Sequence, residues 1–143
     1  LRESVRKEAQ ALAAIRHPRT VVRRLGELDI GKAAAVADGL VLAVEAAEGT
    51  DAMLQRLPQL AKNVRGTPQK RRGVLVKAPK PAQDRRVDLP VIGVRTIALA
   101  AEGGLAGVAV EAGAALIMRK AKIVEAADAL GLFVMAFDPA DAA

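Results

Sequence analysis

A segment rich in proline, cationic and acidic residues follows the apolar run from Val74 to Val76. Pro79, Pro81 and Pro90 fix their own φ angles and restrict the residues before them, so the segment has few conformations to lose when it orders. Two carboxylates among several cations are suited to a site that binds a polyanion and a metal ion at the same time. The polar side chains along this segment are Lys77, Lys80, Gln83, Asp84, Arg85, Arg86 and Asp88, and Arg95 and Thr96 follow it.

The side-chain types in this segment match the needs of a phosphate site. Lys77 and Lys80 would act as point charges, and Arg86 can bind a phosphate through two parallel N–H groups. Asp84 and Asp88 are separated by three residues, so they can share a hard divalent cation such as Mg2+, or one of them can act as a base. Salt bridges from this pair to the neighbouring arginines are the competing explanation, and composition alone slightly favours them.

The positive charge of the chain is concentrated around the same segment. The net charge is +6, but the stretch from Lys62 to Arg95 holds ten Lys and Arg against two Asp, a local charge of +8. The remaining residues carry a net charge of −2. Such a concentration of one sign attracts anions. The run Lys70–Arg72, taken alone, is equally well explained as a solvated surface loop.

Composition argues against several other kinds of site. The chain has no Cys, which excludes disulfides, thiolate zinc sites and thiol nucleophiles. Its single histidine, His17, excludes any site that needs two imidazoles. Trp and Tyr are absent and there are only two Phe, so bases cannot stack on aromatic platforms, and nucleic-acid binding is the weakest functional class.

The elements that must position the polar residues alternate between strands and helices. Two predicted strands flank Asp38-Gly39, a strong hairpin-turn signal, and Thr50 is predicted to cap the helix after it. His17-Pro18 is predicted to end the first helix. The predicted helices are 1–15, 20–28, 51–61, 96–102 and 120–130, and the predicted strands are 33–36, 40–44, 74–76, 106–110, 115–118 and 132–137. This order predicts an α/β fold, a single layered domain with a mixed parallel and antiparallel sheet and flanking helices.

Three polar segments each follow a predicted strand: Glu45–Asp51, Lys77–Thr96 and Glu111–Gly113. Ligands of open α/β sheets bind beyond the carboxyl ends of the strands, so the three segments meet at one site if their strands run in the same direction. Glu45 ends an apolar strand, where a carboxylate needs a partner or a function. For Thr50 and Asp51, helix capping is an equally good explanation.

Several ordered motifs resemble a known enzyme family. The motifs are Leu28–Gly31, Asp38-Gly39, Val44–Met53, Val76–Asp84, Asp88-Leu-Pro90, Ile92-Gly93 with Thr96, Gly104–Gly113 and Ala129–Phe133. Together they resemble the C-terminal domain of the bacterial UDP-2,3-diacylglucosamine pyrophosphohydrolases, the type that is not a metallophosphoesterase. One departure is Ala82, where the resemblance predicts glycine; alanine narrows the backbone choices there.

The resemblance implies hydrolysis of UDP-2,3-diacylglucosamine to UMP and 2,3-diacylglucosamine 1-phosphate, a step of lipid A synthesis. It implies a magnesium cofactor, attack of water on the phosphorus nearer the sugar, and Asp88 as the catalytic carboxylate. We predict Asp84, Asp88 and Glu45 as the metal ligands. The positions that match the family and are expected to bind substrate are Thr50, Asp51, Lys77, Lys80, Gln83, Arg86 and Thr96.

Members of that family have an additional N-terminal domain, and the substrate lies between the two domains. We therefore expect residues 1–24 to be a connecting helix or a remnant of that domain, and residues 25–143 to be the catalytic and substrate-binding domain, which alone need not be active. A lipid-nucleotide substrate implies a cytoplasmic protein in transient contact with the inner face of the inner membrane and without a nucleic-acid partner. Assembly into a homo-oligomer is left open.

A non-enzymatic module that binds an anion or a nucleotide sugar is the alternative function. Both functions explain the concentration of cations, and only the hydrolase requires a catalytic role for Asp88.

Overall fold

The computed structural model of the protein describes residues 2–79, 91–112, 116–117 and 120–138. Within these residues, a mixed sheet of five strands has the order β2-β1-β3-β5-β7, and β4 and β6 form a separate parallel pair. The strands are β1 (Ala33–Ala37), β2 (Leu40–Val44), β3 (Val74–Lys77), β4 (Val91–Ile92), β5 (Gly107–Glu111), β6 (Leu116–Ile117) and β7 (Phe133–Phe137). The helices are α1 (Arg2–Glu27), α2 (Thr50–Gln55), α3 (Val94–Glu102) and α4 (Lys120–Leu130), with a short 3-10 helix at Leu57–Gln59.

The strand directions bring several chain ends to one edge of the sheet. β3, β5 and β7 are parallel, and β1 is antiparallel to both β2 and β3, so β2 runs in the same direction as β3. Val44, Lys77, Glu111 and Phe137 therefore end their strands at the edge where β1 begins, with Ala33 opposite Lys77. This edge is called the carboxyl edge below.

Helices cover both faces of the sheet. Ile15 and Val22 of α1 are buried against one face, together with alternate strand residues such as Val76. The other face packs against α2, α3 and α4; its core contains Leu54, Ile97 and further apolar residues from each of these helices. The predicted α/β domain with a mixed sheet and flanking helices is confirmed.

The β1–β2 hairpin forms as predicted from Asp38-Gly39. Both residues have positive φ, 51° for Asp38 and 81° for Gly39. A two-residue hairpin turn whose twist matches the strands needs φ above zero at both central positions, which Asp-Gly tolerates well. The hairpin matters for the site because it returns the chain to the carboxyl edge at Val44.

The prediction that the first helix ends at His17-Pro18 is wrong, because α1 continues through Pro18 to Glu27. Proline removes one helical hydrogen bond and clashes with the preceding turn, at a cost of about 3 kcal/mol. Ile15 and Val22, one on each side of Pro18, are both buried in the same cluster on the sheet. Packing therefore holds the two halves of α1 in line. The division into residues 1–24 and 25–143 stays a prediction.

The run from Ile97 to Met118 is long and apolar enough to suggest a membrane span, and it contains most of α3 together with β5 and β6. The sequence predicted a helix followed by a strand there, and α3 ends at Glu102 before β5 begins at Gly107. The pairing of Val91–Ile92 with Leu116–Ile117 was not predicted. In the part of the chain that the structure describes, no helix has the length and apolarity needed to cross a membrane.

Candidate active site

Five of the predicted site residues lie together at the carboxyl edge. Glu45 directly follows β2, Thr50 and Asp51 begin α2, Lys77 ends β3, and Thr96 lies in the first turn of α3. Glu45, Thr50, Lys77 and Thr96 are all buried, with exposed fractions between 5% and 9%. Four polar side chains buried at the edge where strands end are unusual in a purely structural domain, because each must find a partner there.

The carboxylate of Glu45 holds the loop between β2 and α2. The Thr50 hydroxyl donates a hydrogen bond to Oε2, and the Lys32 backbone N–H donates to Oε1 at 3.3 Å. The prediction that Thr50 caps α2 is wrong: Gly49 is the capping residue, Thr50 is the first helical residue, and no side chain caps this end. A buried carboxylate is the stronger acceptor, so the hydroxyl is directed to Glu45.

Asp51 connects α2 to α3. Its Oδ1 accepts a hydrogen bond from the Thr96 hydroxyl at 3.3 Å, and its Oδ2 lies 3.3 Å from Nε of Arg95. Thr50 and Asp51 are consecutive, so the first turn of α2 is held from two directions, by Glu45 and by α3. The two helices therefore present a fixed polar surface beside Lys77.

Lys77 is a buried ionisable group at this edge whose pKa is shifted by its surroundings. Strand alternation places it on the face of the sheet that packs against α2 and α3, where its side chain is 7% exposed. Burial lowers the pKa of the Lys77 ammonium below its usual 10.5, Lys32 adds to this, and the attraction of Glu45 and Asp51 only partly offsets it. A buried lysine beside two carboxylates is a group whose charge an anionic ligand would stabilise further.

We expect Lys77 to lower the stability of the folded protein at neutral pH. Below the pKa that Lys77 has in the folded protein, its side chain is charged in the folded and in the unfolded state. The whole cost of desolvating the charge then lowers the stability of the folded state. Between the folded pKa and 10.5 the unfolded chain binds more protons, so the contribution of Lys77 to stability improves as pH rises. Lys77→Met should therefore be more stable than the parent at pH 7, with a gap that narrows towards pH 10.5. Urea unfolding of both proteins across that range measures the gap.

Lys122→Met is a matched control for this experiment, because Lys122 lies on the exposed face of α4. As an exposed substitution, it should change the free energy of unfolding at pH 7 by no more than about 0.5 kcal/mol. If the Lys77 and Lys122 variants show the same pH dependence, burial of Lys77 does not cost stability in the way proposed.

Sequence reasoning missed two cations of this edge, Lys32 and Arg95. Lys32 immediately precedes β1, its carbonyl accepts a hydrogen bond from the Ala78 N–H at 2.9 Å, and its charge acts on Lys77. The hairpin signal predicts the pairing of β1 with β2 only, and Lys32 reaches this edge through the pairing of β1 with β3, which is distant in the sequence. Arg95 was counted among the cations without a role, and it contacts Asp51.

Three other cations of the basic stretch interact with the protein far from this edge. Arg65 donates to the carbonyls of Leu60 and Gly66. Arg71 donates to two carbonyls, one in the last turn of α3 and one in the loop between α3 and β5. Arg72 pairs with Asp38 at the hairpin turn, with Nε 2.8 Å from Oδ2. These arginines hold the 61–73 segment in place and are not part of the carboxyl edge.

A cleft of about 420 Å³ opens at the opposite edge of the sheet. It lies between α1 and the hairpin turn, and His17, Asp38, Arg72 and Phe133 are among the residues that line it. The lining also includes Val74 and Ala106, which with Phe133 lie at or next to the starts of β3, β5 and β7, so the cleft is a separate feature from the carboxyl edge. Glu111 does end β5 at the carboxyl edge, but alternation along the strand places it on the α1 face, away from Lys77.

The remaining predicted site residues, Lys80, Gln83, Asp84, Arg86 and Asp88, lie outside the residues that the structure describes. The segment that contains them begins just after Lys77 and ends just before β4 and α3. It therefore leaves from and returns to the elements that carry Lys77 and Thr96. The roles of these five residues, and of Ala82, stay predictions.

The comparison with known sequences decides the family. The LpxI C-terminal domain family matches residues 2–135. The chain belongs to this family. It is 57% identical over 119 residues to the UDP-2,3-diacylglucosamine pyrophosphatase LpxI of Caulobacter vibrioides. The aligned region covers 83% of this chain and 42% of that protein.

Membership of the LpxI C-terminal domain family confirms the resemblance noted in the sequence. The chain spans less than half the length of the relative it matches, so the activity of the whole relative enters only as a proposal. The family match includes the whole of α1 and all of the sheet except the last two residues of β7.

Proposed function

We propose that this chain is the catalytic and substrate-binding part of a UDP-2,3-diacylglucosamine pyrophosphohydrolase of lipid A synthesis. The observation that carries the proposal is the group of buried polar residues at the carboxyl edge, centred on Lys77, Glu45 and Thr50. It lies where the segment with Asp84 and Asp88 joins the sheet. The name of the Caulobacter vibrioides relative supports the same substrate.

Cleaving a diphosphate requires stabilisation of charge on phosphoryl oxygens. In the proposed reaction, a water oxygen bonds to the phosphorus nearer the sugar and one proton of the water passes to the Asp88 carboxylate. The bond between that phosphorus and the bridging oxygen breaks, and the bridging oxygen leaves with UMP. Lys77, with Lys80 and Arg86 of the adjoining segment, would hold the phosphoryl oxygens, and Thr96 and Asp51 would help to align the nucleotide.

Magnesium is part of the proposal and is supported only by the family resemblance and the choice of residues. No group of three His, Cys, Asp or Glu side chains suited to a metal occurs within 2–79, 91–112, 116–117 and 120–138. Of the predicted ligands, only Glu45 lies in these ranges, and both of its oxygens accept hydrogen bonds. The described residues thus do not form a metal site themselves, and Asp84 and Asp88 are the ligands that remain to be tested.

The test is release of UMP from UDP-2,3-diacylglucosamine, measured with Mg2+ and after chelation by EDTA. It should be run with this chain and with a longer family protein that contains it, because the resemblance implies that an N-terminal domain completes the substrate site. We expect UMP release by the longer protein, and a fall of about 100-fold or more after chelation. A soluble UDP-sugar without acyl chains serves as the substrate control.

Binding of the lipid nucleotide without UMP release by either protein would contradict the hydrolase and favour the non-enzymatic binding module. UMP release that chelation leaves unchanged would contradict the magnesium requirement alone. Because the substrate is a lipid, the proposal places the protein in the cytoplasm, in transient contact with the inner face of the inner membrane. Co-sedimentation with substrate-containing vesicles tests that part.

A further inference from the structure

The carboxylate of Glu45 is buried, and three segments of the chain converge on it. Its exposed fraction is 9%, Oε2 accepts from the Thr50 hydroxyl, and Oε1 accepts from the Lys32 N–H. The backbone N–H of Glu45 donates to the Ala33 carbonyl at 2.9 Å. The side chain therefore joins the end of β2, the start of α2 and the entry to β1.

The backbone before β1 packs directly on Glu45. A Cβ atom on Gly31 would lie 2.0 Å from the Glu45 carbonyl oxygen and 3.2 Å from the Glu45 Cβ, so only glycine fits there. On the other side of the loop, Arg56 donates a hydrogen bond to the Val44 carbonyl at 3.0 Å, next to Glu45 in the chain. Glu45 is thus fixed from both sides and has little freedom to turn towards a ligand.

The charge of Glu45 also acts on Lys77, and it is the larger of the two attractions on that ammonium, ahead of Asp51. A buried ammonium needs an opposite charge close by, because its desolvation otherwise favours the neutral amine. A carboxylate bound to a divalent cation would give up much of that attraction. Glu45 therefore cannot serve fully both as a metal ligand and as the opposite charge beside Lys77.

We propose that Glu45 is a positioning residue and not a metal ligand: its carboxylate fixes Thr50 at the start of α2 and supplies the negative charge against which the Lys77 side chain is buried. The inference rests on the proposed function, since a diphosphate is the ligand that Lys77 would hold. It replaces the sequence prediction that Glu45 binds the metal.

The first measurement needs no turnover. The protonation midpoint of Lys77 is followed by NMR in lysine-labelled protein, for the parent, Glu45→Gln and Glu48→Gln. Glu48 belongs to the same loop and pairs with the partly exposed Arg56. Its variant removes one equal charge, keeps an acceptor oxygen for Arg56, and leaves the hydrogen bonds of Glu45 to Thr50, Lys32 and Ala33 intact. We expect the Lys77 midpoint to fall in Glu45→Gln and to stay unchanged in Glu48→Gln, because Glu45, Asp51 and Lys32 are the charges that act on Lys77. An unchanged midpoint in Glu45→Gln would overturn the proposal.

The second measurement separates positioning from metal binding. Calorimetry measures two quantities for the parent, Glu45→Gln, Thr50→Val and Thr50→Ser. They are the affinity for pyrophosphate and the Mg2+ concentration that gives half of the maximal pyrophosphate binding. We expect Glu45→Gln and Thr50→Val each to weaken pyrophosphate binding about tenfold without changing the Mg2+ requirement, and Thr50→Ser, which keeps the hydroxyl, to restore it. A Mg2+ requirement that rises about tenfold in Glu45→Gln but not in Thr50→Val would make Glu45 a ligand and overturn the proposal.

Two results keep this inference apart from the proposed function. If Glu45→Gln fails to fold, Thr50→Val and Thr50→Ser still test the contact from its other side, since Glu45 is intact in both. If the parent neither releases UMP nor binds pyrophosphate, the proposed function fails, and the Lys77 midpoint still decides whether Glu45 is its counter-charge.

Discussion

Asp88→Ala is expected to lower the rate of UMP release by about a thousandfold or more while substrate binding is kept. A carboxylate that accepts a proton from attacking water contributes about 10² to 10⁴ in rate, and removing it leaves the cations that bind the diphosphate in place. The assignment depends on the Asp88-Leu-Pro90 motif of the family resemblance and on the position of that motif in the chain between Lys77 and Thr96, which both lie at the carboxyl edge. The measurement is a comparison of kcat and of lipid-nucleotide affinity in a protein that is active in the UMP assay.

Asp128→Ala is the matched control, because Asp128 is an exposed carboxylate on α4 whose loss changes the net charge equally. Its kcat should equal that of the parent. Asp88→Asn adds a second comparison, since it keeps the size and removes the basic oxygen, and it should be as inactive as Asp88→Ala. Full turnover in the Asp88 variants would reject the catalytic role, and lost binding with unchanged kcat would make Asp88 a substrate-binding residue instead.

The parts of the fold that sequence reasoning predicted are those with local causes. Asp38-Gly39 determines a two-residue turn through its own backbone preferences, and Gly131 ends α4 with φ of 76°. The helix from Lys120 to Leu130 was predicted with its observed bounds because its apolar spacing and its terminating glycine agree. In each case the signal lies within a few residues of the feature that it determines.

The parts that were missed have causes distant in the sequence. Helix α1 passes through Pro18 because Ile15 and Val22 are buried on the sheet, a contact with strands that follow much later. Lys32 reaches the site through the pairing of Ala33 with Lys77, which the sequence around Lys32 does not encode. For the five described residues of the candidate site, the sequence therefore predicts the edge of the sheet at which they meet, whereas their hydrogen bonds depend on long-range register.

The same distinction between local and distant causes explains why Thr50 does not cap α2. A threonine before a helix is a sound capping signal, and capping is worth about 1 kcal/mol. Glu45, five residues earlier, is buried once β2 pairs with β1, and a buried carboxylate without donors costs more than an uncapped helix end. The hydroxyl therefore goes to Glu45, and the loop that results gives the candidate site its shape.

Gly104→Ala is expected to lower the free energy of unfolding by about 3 kcal/mol. Gly104 has φ of 80°, and a Cβ atom there would lie 2.0 Å from the Gly66 carbonyl oxygen and 2.7 Å from the Thr67 nitrogen. The neighbouring atoms are backbone and cannot turn away. The same contact is secured by the Arg72 N–H, which donates to the Gly104 carbonyl at 2.9 Å. Urea unfolding of the variant and the parent measures the loss.

Gly131→Ala separates backbone strain from the clash. Gly131 also has positive φ, 76°, but nothing lies within 4 Å of its Cβ position, so its loss should be only about 1 kcal/mol. An equal loss of unfolding free energy in the two variants would show that the backbone of the 61–73 segment can move, at Gly66, away from the new Cβ atom. Since Gly66 and Gly104 lie away from the carboxyl edge, Gly104→Ala protein that is folded at low temperature should bind pyrophosphate as the parent does. Weakened binding there would mean that the position of β3, and of Lys77 at its end, depends on how this segment packs.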